Sequence, residues 1–235
     1  MFWYFCVFVG IYSCQNKTKQ HLLQPKILKH QNTHIQMLNV ILLAAGQGLR
    51  MGGPNKLLLP FRGQTVLETT LAQLCAAKIG PVYVVTGHAR EAVAPLLQPF
   101  PVQEVFHPDF HLGMTGSIQA GVRAGQNAQG YMICLADMPL LTTAAYQLLA
   151  DRFQDVVAQD PQAILLPRFG GAKGNPVIFA AAYRQAILNH QEPEGCRGIV
   201  AAHMSHCAWV DMPDDGVLLD LDTPEDYDKV VVRKE

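Results

Sequence analysis

Apolar runs and helically spaced apolar residues alternate along most of this chain. Leu38 to Ala44 is an apolar run ending in a Gly-rich loop, the mark of a strand buried on both faces. Thr65 to Ile79 then places Leu67, Leu71, Leu74 and Cys75 at helical spacing, and Pro81 to Thr86 reads as a second strand. The pattern predicts a helix over 91–97, a strand over 102–106, a helix over 116–124 and a strand over 131–136. A helix over 142–153 and a strand over 163–167 follow. Beyond that point it loosens, predicting strands over 175–179 and 208–211 and helices over 181–188 and within 199–203. Thr223 to Val231 closes the chain as a helix capped by Thr223, with Pro224 first and Glu225 and Asp226 in its opening turn. Strands and helices in this rhythm predict an α/β, three-layer domain with a mainly parallel sheet. Such sheets bind ligands beyond the carboxyl ends of their strands, so the loops after Ala44, Phe106, Ala136 and Asp211 are where function is expected.

Residues 1–36 break this pattern. They hold four Lys and no acid, and six of the chain's 19 aromatic residues fall in the first twelve positions. From Met37 onward, 14 basic residues face 19 acidic ones, against a whole-chain net charge of -1. No global positive field is therefore available for nucleic acid or an anionic membrane. The apolar run of the extension has no basic residue before it and no small-x-small site after it, and it is too short to span a bilayer as a helix. It reads as residues ahead of a functional start at Met37, with a weak anchor or lipoprotein-like signal as alternatives. We expect no stable membrane association and a cytoplasmic protein.

The six cysteines lie far apart, a pattern of reduced thiols, and Cys134 sits in an apolar strand as a core residue. His203, His206 and Cys207, and the pair His107 and His111, are candidate zinc ligands by residue type alone. Pro108 works against a helical His107–His111 pair, and the 203–207 cluster lacks a distant second ligand pair.

The chemistry concentrates in the first loop. Ala45, Gly46 and Gly48 let backbone N–H groups approach phosphate oxygens, and Arg50 and Lys56 add positive charge to the same segment. Gly46, Gly48 and Gly52 approximate a dinucleotide-binding spacing, but Pro54 and Pro60 oppose the helix that motif requires. Asn55-Lys56-Leu57 does not end a P-loop either.

The stretch LLAAGQGLRMGGPNKLLL resembles the signature of nucleotidyltransferases that attach a nucleotide to molybdopterin, most closely their cytidylyltransferase branch. GMTGSIQAGV (113–122), LADMPLL (135–141), GNPVIF (174–179) and DLDTPEDY (220–227) resemble the same family in the same order. The resemblance implies a nucleotidyltransferase domain over 37–235 that transfers CMP from CTP to the terminal phosphate of molybdopterin and releases pyrophosphate. It implies Arg50, Lys56 and Asp137 as catalytic residues. Leu43, Ala44, Ala45, Gly46, Gly48, Lys56, Gly116 and Ser117 would bind the nucleotide. Mg2+ would sit on Asp137 and Asp222, and Asp220 could exchange roles with Asp222. Mg2+ suits such a site because it prefers carboxylate and phosphate oxygens. Simpler roles remain open for several of these residues: a turn cap for Asp137, a helix cap for Asp222, and an N-cap for Thr115 or Ser117.

The chain departs from the family pattern at Gly174-Asn175-Pro176 and at PEGCRG (193–198), both expected on the acceptor side, where Arg197 could bind an acceptor phosphate. Leu-Ala-Ala-Gly where the guanylyl branch has Leu-Ala-Gly-Gly favours CTP over GTP, with Ala45 narrowing the base pocket. Transfer to a sugar or polyol phosphate is the rival within enzymes. A non-catalytic molybdenum cofactor carrier is the rival outside them. A transient contact with a molybdenum hydroxylase or its chaperone would follow from either cofactor reading.

Overall fold

The computed structural model describes residues 38–48 and 55–232. The extension, Met37 and Arg50 lie outside the described residues. An eight-stranded sheet runs β10-β7-β9-β6-β1-β4-β5, with β8 paired to β7. Its strands are β1 (Leu38–Ala44), β4 (Val82–Thr86), β5 (Val102–Phe106), β6 (Gly130–Leu135), β7 (Ile164–Phe169), β8 (Ala172–Lys173), β9 (Val177–Ala180) and β10 (Cys207–Asp211). A two-stranded hairpin, β2 (Pro60–Phe61) with β3 (Gln64–Thr65), stands apart from it. Its strands are too short to show in a periodicity.

The apolar run of β1 is explained by its place between β4 and β6, parallel to both, with Leu42 opposite Val84 on one side and Cys134 on the other. Val40, Ile41 and Leu42 are fully buried. Helices α1 (Val66–Ala77) and α4 (Thr143–Gln159) pack together, as do α3 (Met114–Ala124) and α5 (Arg184–Asn189), while α2 (Arg90–Leu97) leans on β4 and β5. Helices α6 (Arg197–Ala202) and α7 (Pro224–Val231) complete the described set of seven. Helix α4 runs six residues past the expected Phe153, because Val156 and Val157 go on packing against the core.

Parallel order is broken by β9, antiparallel to both β6 and β7, and by the short β8, antiparallel to β7. Gly170 and Gly171, both at positive φ, turn β7 back into β8. Three residues then separate β8 from β9, far fewer than the crossover a parallel strand would need. Cys134 is buried in β6, and burial pushes its thiol well above the ordinary range. Cys75, Cys134, Cys196 and Cys207 are free thiols.

One helix start differs from expectation and another meets it. Helix α3 begins at Met114 with Gly113 as its N-cap, so neither Thr115 nor Ser117 caps it. A side chain at Gly113, whose φ is 116°, would also fall 2.6 Å from the Pro193 carbonyl oxygen. At α7 the cap is Thr223, which trades hydrogen bonds with Asp226 in a capping box and leaves Asp222 free of that duty.

Candidate active site

The carboxyl ends of β1 and β6 adjoin, and the loops leaving them supply the charged groups. Asn55 accepts a hydrogen bond from Leu57 N at 3.0 Å and caps the 3-10 turn Lys56–Leu58, which sets the direction of Lys56. Asp137 follows β6 directly and is buried. Leu221 N donates to the Asp137 carbonyl at 3.1 Å, while the Leu221 side chain is sealed in a second apolar cluster with Phe61, Val66 and Val230. That anchor brings the 220–222 segment beside Asp137 from across the chain.

The result is one ammonium shared by two carboxylates. Lys56 Nζ pairs with Asp137 Oδ2 and, at 2.9 Å, with Asp222 Oδ1. Burial works against the Lys56 charge, but the attraction and hydrogen bonds of Asp137 and Asp222 outweigh it and hold the ammonium above its ordinary value. Asp220 lines the same cavity, and its carboxyl is raised above the ordinary range by burial and then by repulsion from Asp137 and Asp222. The fold thus brings Asp137 and Asp222 to one point, with Lys56 between them as counter-charge.

These groups sit in a cavity of about 990 Å³. Leu43, Ala44, Ala45, Gly46 and Gly48 line it. Gly46 has open space where a side chain would stand, and Gly48 takes a left-handed φ of 60° with the Lys56 stem nearby. Ser117 lines the cavity too, but Gly116 does not: it faces His107, whose Nε2 would lie 2.7 Å from a Cβ at that position. Gly116 thus lets α3 approach the end of β5. Thr115 hydrogen-bonds the backbone of Glu192 and Gly195, tying α3 to the loop before α6. Arg50 lies outside the described residues.

At the β7–β10 end the cavity is lined by Lys173, Arg197 and Cys196. Burial and repulsion from Arg197 hold the Lys173 ammonium below its ordinary value, so both cations charge the same stretch of the wall. Burial pushes the Cys196 thiol up to about 12, which keeps it neutral. Lys173 and Phe110 carry no motif of their own and escape sequence reasoning, whereas Cys196 belongs to the PEGCRG stretch expected on the acceptor side. Two of the zinc candidates are otherwise engaged: His203 Nδ1 donates to Ile199 O at 2.8 Å, and His206 pairs with Asp160 at 2.7 Å. Among the described residues no three His, Cys, Asp or Glu side chains gather as a metal-holding group, and no helix is long and apolar enough to cross a membrane.

A glycine-lined loop, a cation and carboxylates at the carboxyl edge of a mainly parallel sheet define a nucleotidyltransferase. Residues 40–207 match the MobA-like NTP transferase domain, and the chain belongs to that family. Among its relatives is the purine catabolism protein PucB of Bacillus subtilis, 32% identical over 81% of this chain and 94% of that protein. The nicotine blue oxidoreductase of Paenarthrobacter nicotinovorans is 27% identical over 83% and 96%. The molybdenum cofactor cytidylyltransferase of Escherichia coli is 27% identical over 81% and 93%. The crystal structure of Rv0371c from Mycobacterium tuberculosis superposes with a TM-score of 0.71 at 24% identity, covering 84% of this chain and 99% of that one. Its complex with manganese gives 0.64 at 25%, covering 83% and 98%.

Proposed function

We propose that the protein transfers CMP from CTP to the terminal phosphate of molybdopterin and releases pyrophosphate. The observation that carries the reading is the Lys56 ammonium held between Asp137 and Asp222 at the mouth of the Gly46–Gly48 loop. A phosphate nucleophile is already anionic at neutral pH, so transfer needs alignment and charge neutralisation more than a protein base. The site fits that demand.

The donor set also fits a hard divalent cation, because Mg2+ takes one or two carboxylates and completes its shell with water and substrate phosphates. Asp137 and Asp222 would hold it, with Asp220 beside them. Once bound, the ion would neutralise phosphate charge and order the triphosphate. The manganese complex of Rv0371c supports a divalent ion in this family. Lys56 would exchange its carboxylate partners for phosphate oxygens, while the backbone from Ala45 to Gly48 cradles the triphosphate with Arg50 alongside.

Nucleotide and acceptor fill opposite ends of the cavity. Ala45 and Ser117 line the nucleotide end, and Gly116 supports it from behind through α3. Arg197 and Lys173 receive the acceptor phosphate at the other end, where their mutual repulsion favours an anion between them. The domain of this reading is 37–235, acting in the cytoplasm and handing its product to a molybdenum hydroxylase or its chaperone. The molybdopterin and cytidylyl assignments draw on the likeness to the Escherichia coli enzyme. Purified protein incubated with Mg2+, molybdopterin and each of the four NTPs tests the reading by pyrophosphate release. CTP should react fastest. Release that requires a sugar or polyol phosphate in place of molybdopterin would overturn the acceptor, and no release with any acceptor would favour a carrier.

A further inference from the structure

We propose that Phe110 is a specificity-determining residue that limits the base of the nucleotide to a pyrimidine; this rests on the nucleotidyltransferase reading above. Three loops from adjacent strands converge at this end of the cavity. A Cβ placed on Gly87, after β4, would lie 2.9 Å from the Ala45 Cβ and 2.6 Å from the Phe110 Cβ. The missing side chain at 87 is therefore what lets Ala45, after β1, and Phe110, after β5, close on one another. Backbone bonds hold the loops in that relation: His88 N donates to Ala45 O at 3.2 Å, and His107 N to Thr86 O at 2.9 Å.

The ring of Phe110 is held as well as placed. His88 packs against it at 5.9 Å between centroids and tilted by 59°, and His111 meets it edge-on at 6.0 Å. Such aromatic neighbours restrain a ring that would otherwise swing aside. Both Ala45 and Phe110 line the cavity, as does Ser117 on the first turns of α3.

Charge decides which part of a nucleotide meets this wall. Lys56 and the three aspartates line the cavity where the loops after the central strands β1 and β6 meet the 220–222 segment, and Lys173 and Arg197 line it from β8 and α6. The Phe110 end offers the Phe110 and His111 rings, the Ala45 methyl and the Ser117 hydroxyl. With phosphates on Lys56 and an anionic acceptor on Arg197, the uncharged planar base is the part left for Phe110. The ring and the Ala45 methyl then set the depth available to it, and a purine needs more depth than a pyrimidine.

Calorimetric titration of the full chain with CTP and with GTP, each with Mg2+, tests this for wild type, Phe110→Leu and Phe110→Ala. Wild type should prefer CTP. The ratio of GTP to CTP dissociation constants should fall by about tenfold or more in Phe110→Ala, since a change of even one methylene in a pocket shifts discrimination by roughly tenfold. Phe110→Leu should fall between. A ratio unchanged within about twofold in both variants, with circular dichroism showing them folded, overturns the proposal; if the Ala variant does not fold, the Leu variant decides alone. Wild type that binds GTP more tightly overturns the gate and leaves the nucleotidyltransferase reading standing. Wild type that binds neither nucleotide overturns both.

Discussion

The two halves of the cavity are built by different means. Around β1, β4, β5 and β6 every strand pair is parallel, and residues within a few positions of the strand ends supply Ala45, Gly46, Gly48 and Asp137. Around β7, β9 and β10 the order is broken by the antiparallel β9, and the wall comes from a two-residue strand and a six-residue helix carrying Lys173 and Arg197. The first half positions charge on loops that leave the sheet's largely buried central strands, β1 and β6. The second offers two cations on short elements, where sequence can change without disturbing the core. Under the proposed function, the contrast makes phosphate handling and acceptor choice separable in this fold, and mutations should separate them.

The largest effect should come from the first half. Lys56→Ala and Asp137→Ala should each lower turnover by roughly a hundredfold or more, because each removes a charge aimed at the reacting phosphates. The loss should appear with any acceptor. Steady-state pyrophosphate release checks it, and unchanged turnover in a folded Asp137→Ala protein would remove the metal assignment.

The acceptor half should answer differently. Arg197→Ala and Lys173→Ala should raise the acceptor KM by about tenfold, the loss of one charge-assisted hydrogen bond worth about 1.5 kcal/mol, and leave CTP affinity unchanged. Parallel KM and nucleotide-binding measurements read the split. An equal loss of CTP affinity would contradict the division of the cavity.

Within the nucleotide half, Ala45→Gly should relax the preference for CTP over GTP by roughly tenfold, since one methyl group in a pocket is worth about 1 to 3 kcal/mol. Competition between equal CTP and GTP measures it. A wild-type enzyme that consumes GTP first would refute the cytidylyl assignment.

The smallest effect concerns stability. The Asp220 carboxyl is raised in the folded protein by burial and by Asp137 and Asp222, so its ionisation opposes folding. That penalty is absent below the ordinary carboxylate range, grows as pH rises toward the raised value, and is complete above it. Asp220→Asn should therefore raise Tm at neutral pH without divalent metal, by roughly 1 to 4 °C, the shift that about 0.5 to 1 kcal/mol produces in a domain this size. The gain should fade on acidification to about pH 4, near the ordinary Asp value. Thermal melts in chelator at both pH values check the sign.

The same contrast governs what the chain discloses before folding. The apolar run of β1 and the glycines after it read directly as a buried strand and a phosphate loop, because that information is local. The Lys56–Asp222 pair spans 166 positions, and the resemblance to a family named both residues without anticipating that they pair. Lys173 beside Arg197, and Phe110 seated on Gly87, join segments whose own patterns say nothing of each other. The direction of β9 was equally hidden, since Val177–Ala180 has the same apolar pattern read either way and only the short β8–β9 link forces it antiparallel. Helix α3 began two residues before expectation because its start is set by Gly113 packing on Pro193 rather than by a capping side chain.

The central claim is that this cavity joins a nucleotide to a phosphorylated pterin, and the mass of the product tests it most directly. Full-length protein incubated with Mg2+, CTP and molybdopterin should yield a compound with the mass of molybdopterin joined to CMP, together with one pyrophosphate per molecule formed. Molybdopterin recovered unchanged, with CTP intact and no pyrophosphate, in a protein whose circular dichroism shows the folded domain, would contradict the account.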